Sequence, residues 1–411
     1  PRSIVCSTSS GRSPPAAPPD VAMAAPDVSI LGGGIVGTAL AAELGRCGAT
    51  VTLYERTAIA AGASGRNSGV VWHPADPVLA ALYRESLARY RALPDELAAA
   101  LGDETPERSF GLPAQPVGIL SLGHDETVVR AFAASFAAAN PEIPTDFVDG
   151  PTLAALEPSL APGMTAVRMA IGFPVAPAAA THAFAALARS RGATVVEGVD
   201  ARVARDGGTA AGAVVDGVVR PSGAVVVAAG PWSPALVDPS GAWRPIRPYW
   251  GVIVELDLGD AAPHHVLEEA EIEVATRPGA PDDEAGSVGF SLVTAASRSS
   301  LGSTFLPAEP DPRAYEARLR ERGARYVPAI ADSPTRGLRA CARPLALDGR
   351  PLVGPVPGVD RLFIAAGHGP WGISTGPASA RHAAALVLRE ADPRTAAVAA
   401  ATDAGRFGAP A

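Results

Sequence analysis

Along this chain, short unbroken apolar runs alternate with longer stretches whose apolar positions recur every three to four residues, the pattern of buried strands separated by helices. The clearest instance is Asp27 to Glu55, DVSILGGGIVGTALAAELGRCGATVTLYE. Val28, Ile30 and Leu31 read as a buried strand. From Ile35, the residues Val36, Leu40, Ala41 and Leu44 recur at helical spacing until Gly48 supplies a stop. Val51 to Tyr54 then makes a second strand, ending on Glu55. Further on, the pattern predicts a helix over roughly 78–100, a strand at 118–122, and helices at 126–138 and 151–156. A helix at 176–192 runs into a strand at 193–199, and valines recur at 214, 215, 218 and 219. A fully apolar strand at 224–229 breaks at Gly230-Pro231-Trp232. Beyond it come a strand at 251–256, edge strands near 271–275 and 289–293, a helix at 311–326, a strand at 362–367 and a helix from about Ser374 to Arg389.

The turn between the first strand and helix carries Gly32, Gly34 and Gly37 at G-x-G-x-x-G spacing. Gly32 allows the tight turn, Gly34 lets a diphosphate approach the backbone, and Gly37 lets helix and strand pack closely. The helix N-terminus offers free N–H groups and a partial positive charge to such an anion. Glu55, at the end of the second strand, is placed to accept both ribose hydroxyls of an adenosine. Strand, glycines, helix, strand and acid in this order imply a dinucleotide-binding unit. The fold class is therefore α/β, with a Rossmann-type domain built from residues 27–104, 166–243 and 341–405. Residues 105–165 and 244–340 form a second domain threaded between its parts.

Composition narrows the rest. The chain has 411 residues, 47% of them hydrophobic and 18% charged, enough to fill a sizeable core. A net charge of -8 argues against nucleic acid and anionic membrane surfaces as partners, and no apolar run approaches the roughly 18 residues of a membrane span. All 34 basic residues are arginine, which excludes Schiff-base and P-loop lysine chemistry. Three scattered cysteines, Cys6, Cys47 and Cys341, suggest neither a disulfide framework nor a zinc site, so a reduced, cytoplasmic setting is expected. His73 and Asp76 are close in sequence but lack further ligands, and no metal is expected. Residues 1–26, rich in Pro, Ser and Ala, are expected to be disordered, with Met23 a candidate start.

Several further segments extend the pattern. They are Gly62-Ala63-Ser64-Gly65-Arg66-Asn67-Ser68-Gly69, Ala228-Ala229-Gly230-Pro231-Trp232, Arg343-Pro344 ahead of Asp348-Gly349-Arg350-Pro351, and Ala366-Gly367-His368-Gly369. With the first motif they resemble, in order and spacing, the glycine oxidase and D-amino acid oxidase superfamily of flavoenzymes, which includes sarcosine oxidase. Disulfide reductases are excluded because they need a C-x4-C pair. They and the aromatic hydroxylases also close the flavin site with Gly-Asp, where this chain has Ala366-Gly367-His368. A plain nicotinamide dehydrogenase would leave the Ser64–Gly69 loop unexplained.

The resemblance implies bound FAD and a substrate domain whose mixed, largely antiparallel sheet roofs the flavin ring. It places the cofactor against Gly32, Gly34, Ile35, Val36, Gly37, Glu55 and Arg56, then against Ser64, Arg66, Asn67, Ser68 and Gly69. It adds Val199, Ala229, Gly230 and Trp232, then Arg343, Gly367, His368, Gly369, Gly372, Ile373 and Ser374. Arg343 matches the family's carboxylate-binding arginine; as an alternative it pairs structurally with Asp348. Tyr249 and Trp250, on the approach to a strand, are candidate pocket walls, and His368 either contacts the flavin or caps its turn. Sarcosine oxidase carries a lysine, and glycine oxidase an arginine, in the final turn, where this chain has Ser374 and Pro370; a second carboxylate grip is therefore missing. In sarcosine oxidase the flavin is attached through a cysteine two residues before the position of Arg343. Cys341 falls there, but relatives mostly keep a small residue at that place, so non-covalent FAD is expected, with a covalent link through Cys341 the alternative.

The implied activity is oxidation of a C–N bond in an amine or amino acid, with hydride passing to the flavin and the imine then hydrolysed. The alternative is oxidation of a 2-hydroxy acid to a 2-oxo acid, since 2-hydroxyglutarate enzymes share the S-G-R-N-S-G loop. A non-catalytic flavin scaffold is the third reading. Oxygen, a quinone or another electron carrier would accept the electrons.

Overall fold

The computed structural model describes residues 27–270, 288–390 and 396–410. The expected disordered extension 1–26 and the strand expected near 271–275 lie outside the described residues.

The opening motif folds as its pattern dictates. Strand β1 (Asp27–Leu31) leads through the glycine turn into helix α1 (Ile35–Arg46), and strand β2 (Thr50–Glu55) follows beside β1 in parallel. They belong to a six-stranded sheet in the order 352–355, 362–366, 224–227, β1, β2, 194–197; all neighbours are parallel except the outermost pair at 352–355 and 362–366. Period-two alternation loads both faces. Val28 and Ile30 on β1, with Ala224 and Val226 on the next strand, pack against α1 and the helices Pro177–Ser190 and Gly372–Leu388. Leu31, Val225 and Val227 face the other way, toward a small antiparallel sheet of strands 202–206, 209–215 and 218–221. Burial on both faces explains why these strands read as continuous apolar runs.

The second sheet has eight strands in the order 335–346, 246–256, 298–304, 288–295, 266–269, 119–123, 165–169, 145–148, antiparallel throughout except between 266–269 and 119–123. Several expectations are corrected here. The strand expected at 251–256 begins at Ile246, so Tyr249 and Trp250 lie within it rather than on its approach. The strand at 288–295 pairs on both sides and is not an edge strand. The strand Thr335–Ala346 was not foreseen at all, and it pairs along its length with Ile246–Leu256. The boundaries expected at 166 and 341 fall inside strands of this sheet. Cys341 is free and buried. No helix among the described residues is long and apolar enough to cross a membrane.

Candidate active site

A cavity of about 860 Å³ opens between the two sheets, a volume within the range of small-molecule and cofactor sites. One wall is the glycine turn. Gly32 has φ +119, and a Cβ there would sit 2.5 Å from the carbonyl oxygen of Ala228, so only glycine fits. A Cβ on Gly37 would run into the Gly32 carbonyl, as close helix–strand packing requires. Gly37 itself does not line the cavity.

No side chain caps α1 at Gly34. Instead the Ser64 hydroxyl, from the short helix α2 (Ala63–Arg66), accepts the Ile35 N–H at 2.9 Å. The rest of the first turn of α1 presents its N–H groups to the cavity side, where Gly34, Ile35 and Val36 line the wall. Glu55 also lines it. Its Oε2 accepts the Gly33 N–H at 2.7 Å, and its Oε1 accepts the N–H and hydroxyl of Thr57 at 2.9 and 3.1 Å. Those donors use most of a carboxylate's roughly four lone-pair sites, leaving room for one ribose hydroxyl more readily than the two expected. Farther along, Val199, Ala229, Gly230 and Trp232 line the same cavity, with the Arg56 guanidinium 4.9 Å from the Trp232 ring centre.

The opposite wall is the edge strand Thr335–Ala346 and its neighbour, contributing Trp250, Cys341 and Arg343. Arg343 is half-buried. Its Nη1 donates to the Thr304 carbonyl at 3.0 Å, and its Nη2 donates to the Ser303 hydroxyl. Burial lowers its pKa, and among the described residues no carboxylate pairs with it. The partner first considered, Asp348, is held by Arg406 at 2.7 and 3.1 Å. Cys341 is 2% exposed; burial raises its pKa despite Arg343, Arg339 and Arg66 nearby, so the thiol stays protonated. Arg339 reaches across to the carbonyls of Arg66 and Asn67 at 3.0 and 3.1 Å, tying α2 to this strand. Arg66 and Asn67 both line the cavity.

The final turn closes the site with His368, Gly369, Gly372 and Ile373. The helix begins at Gly372, two residues earlier than expected, so its N-terminus meets the cavity. His368 does not cap its turn: no side-chain hydrogen bond is made there, and its buried Nε2 has no partner among the described residues. Burial lowers its pKa to about 4, so the ring is neutral at pH 7.

Not every expected residue reaches the cavity. Ser374 is buried and accepts the Trp72 N–H at 3.1 Å, while Ser68, Gly69 and Gly367 stand behind the wall. Tyr249 packs with Phe305 and Leu345 instead of lining the pocket. Asp76 caps the helix at 77–101 and pairs with Arg350, and among the described residues no cluster could hold a metal. Sequence reasoning missed Thr57, Ser303, Thr304 and Phe305; a strand over 298–304 was not anticipated, so nothing marked the last three.

The family model for FAD dependent oxidoreductases, DAO, matches residues 27–386. The chain belongs to this family. This FAD-dependent oxidoreductase is 29% identical to a glycine oxidase of Pseudomonas aeruginosa over 370 residues, covering 88% of this chain and 94% of that protein. Among solved structures, glycine oxidase from Geobacillus kaustophilus superposes with a TM-score of 0.76 at 24% identity, covering 90% of this chain and 96% of that one. Iminodiacetate oxidase from Chelativorans superposes at 0.74 and 23% identity, covering 89% and 96%. At those identities the structural likeness shows the fold. The glycine cradle fits FAD: the Gly32 and Gly37 positions exclude any side chain, and a Cβ at Gly34 would stand 2.9 Å from Ser64 Oγ, in the space a diphosphate needs.

Proposed function

We infer that this oxidoreductase oxidises the C–N bond of an amino acid, the imine product hydrolysing to a 2-oxo acid or aldehyde. The observation that carries this reading is Arg343: a half-buried guanidinium on the cavity wall that no described carboxylate neutralises. A cation partly withdrawn from water on a cavity wall favours an anionic ligand, and arginine's planar fork matches a carboxylate in two parallel hydrogen bonds. The glycine oxidase and iminodiacetate oxidase relatives, by their names, act on acids that carry an amine.

Bound FAD supplies the hydride acceptor. Gly32, Gly34, Ser64 and the start of α1 would hold its diphosphate, with Glu55 at a ribose and Trp232 at the far end. The Gly372 helix N-terminus would face the flavin end and favour negative charge there. Arg343 holds the substrate carboxylate and thereby fixes which C–H bond faces the cofactor. Trp250 walls the pocket and excludes water. No side chain needs to act as a base if the amine enters deprotonated. Cys341, a buried protonated thiol, is a poor nucleophile, which supports FAD bound without a covalent link.

The test is anaerobic mixing of FAD-loaded protein with a panel of amino acids, amines and 2-hydroxy acids. The flavin band near roughly 450 nm should bleach with an amino acid and release ammonia. Bleaching by a hydroxy acid without ammonia would establish the 2-hydroxy acid reading instead, and no bleaching across the panel would leave a flavin scaffold. Admitting air to the bleached sample then separates oxygen from a quinone as acceptor.

A further inference from the structure

The pose of Arg343 is set by packing rather than by an ion pair. Below the guanidinium lie Ser303 and Thr304, 5% and 0% exposed, at the end of strand 298–304. The Phe305 ring stands 5.1 Å from the guanidinium carbon. The remaining side is Gly251. Tyr249 is directly opposite Arg343 in the strand pair, so Gly251, two residues on, shares its face. A Cβ on Gly251 would lie 2.5 Å from Cζ of Arg343 and 2.6 Å from Nη1, closer than any real carbon approaches. The backbone does not require glycine here, because Gly251 is not among the positive-φ residues. The space requires it for as long as the guanidinium keeps this pose. Gly251 does not itself line the cavity, so the absence of a side chain serves the arginine.

Two of the five guanidinium N–H groups go to Thr304 and Ser303, which leaves the others for a ligand. We propose that Gly251 and Ser303 are positioning residues that lay the Arg343 fork flat across the strand pair, fixing it for a carboxylate ligand. The proposal rests on reading Arg343 as the carboxylate fork. A methyl group at 251 must displace the guanidinium, because that is the mobile end of the contact. The displaced fork leaves the Thr304 carbonyl and the Ser303 hydroxyl and no longer meets a carboxylate in two parallel bonds. Charge is kept and geometry is lost, so carboxylate affinity falls while the cofactor site, built on other residues, is untouched.

The experiment uses FAD-loaded wild type, Gly251→Ala, Ser303→Ala, Arg343→Lys and the double variant Gly251→Ala/Arg343→Lys. Affinity for acetate and benzoate is measured by perturbation of the flavin band and by calorimetry, with benzamide as a probe that lacks the charge. Bound FAD and Tm are recorded alongside. Gly251→Ala should weaken benzoate binding roughly tenfold or more with FAD content and benzamide binding unchanged. Ser303→Ala should move in the same direction by less. The double variant should bind no worse than the weaker single one, since both changes remove the same fork. If Arg343→Lys loses carboxylate affinity and Gly251→Ala does not, the proposal is overturned and the reading of Arg343 stands. If wild type binds neither acetate nor benzoate, or Arg343→Lys binds them equally well, that reading fails and the proposal with it. Should Gly251→Ala not fold, Ser303→Ala decides: carboxylate affinity equal to wild type overturns the proposal.

Discussion

His368 keeps a neutral imidazole inside the protein, and that has a pH signature. Its pKa is about 4 when folded, against an ordinary value of 6.5, with burial as the cause. The unfolded chain therefore binds a proton between those values while the folded one does not. Its contribution to stability is complete above pH 6.5 and is lost as pH falls toward 4, by roughly 3 kcal/mol in all. Denaturant unfolding at pH 7.5 and 4.5 should show wild type losing more stability than His368→Asn. Equal losses would mean that the ring is solvated. His73, whose pKa burial also lowers, titrates in the same sense, so the difference between the two proteins is the quantity to read. Cys341 makes a second, simpler prediction. A thiol whose pKa is raised attacks poorly, so acid precipitation should leave a white pellet under a yellow supernatant. A yellow pellet would show a covalent flavin. Both residues stood out in the sequence, but their states did not: a histidine after a glycine reads the same whether its ring is solvated or sealed, and only burial decides.

At the scale of elements, legibility followed locality. β1, the glycine turn, α1 and β2 could be read almost to the residue because each signal lies within a few positions of the next and the glycines are forced by contacts as close as Gly32 to the Ala228 carbonyl. The roof of the site was nearly invisible. Strand Thr335–Ala346, TRGLRACARPLA, has arginines at 336, 339 and 343 and small residues between them, so it shows neither an apolar run nor a clean alternation. Its arginines are spent on tertiary partners: Arg336 on Asp257, Arg339 on α2 and Glu255, Arg343 on the 303–304 backbone and hydroxyl. It becomes a strand because it pairs along its full length with Ile246–Leu256, some ninety residues earlier in the chain. Arg343 was found through its resemblance to a family motif, while its seat of Gly251, Ser303 and Phe305 carries no motif. The same blindness shifted the start of the 246–256 strand, whose first residues, IRPYW, mix charge, proline and aromatics.

At the scale of the molecule, the cavity has walls from both sheets. Arg339 tying α2 to the roof is one of the polar links that span it, through carbonyls at 3.0 and 3.1 Å. FAD would add contacts to the glycine turn, the 229–232 turn, the roof strand and the final turn at once. A ligand that binds only the folded chain stabilises it by RT ln(1 + [L]/Kd), about 2.7 kcal/mol at a hundredfold excess over Kd. In a chain of this size that corresponds to an increase in Tm of about 3–5 °C. Protein stripped of FAD should therefore melt lower by that amount and recover in proportion to the logarithm of added FAD. Adenosine diphosphate alone should restore only part of the shift, because it reaches the glycine turn and Glu55 but not Cys341 or the Gly372 turn. Full recovery with adenosine diphosphate would mean that the roof contributes nothing to holding the cofactor. In that case the interleaving of the two sheets would serve the substrate alone.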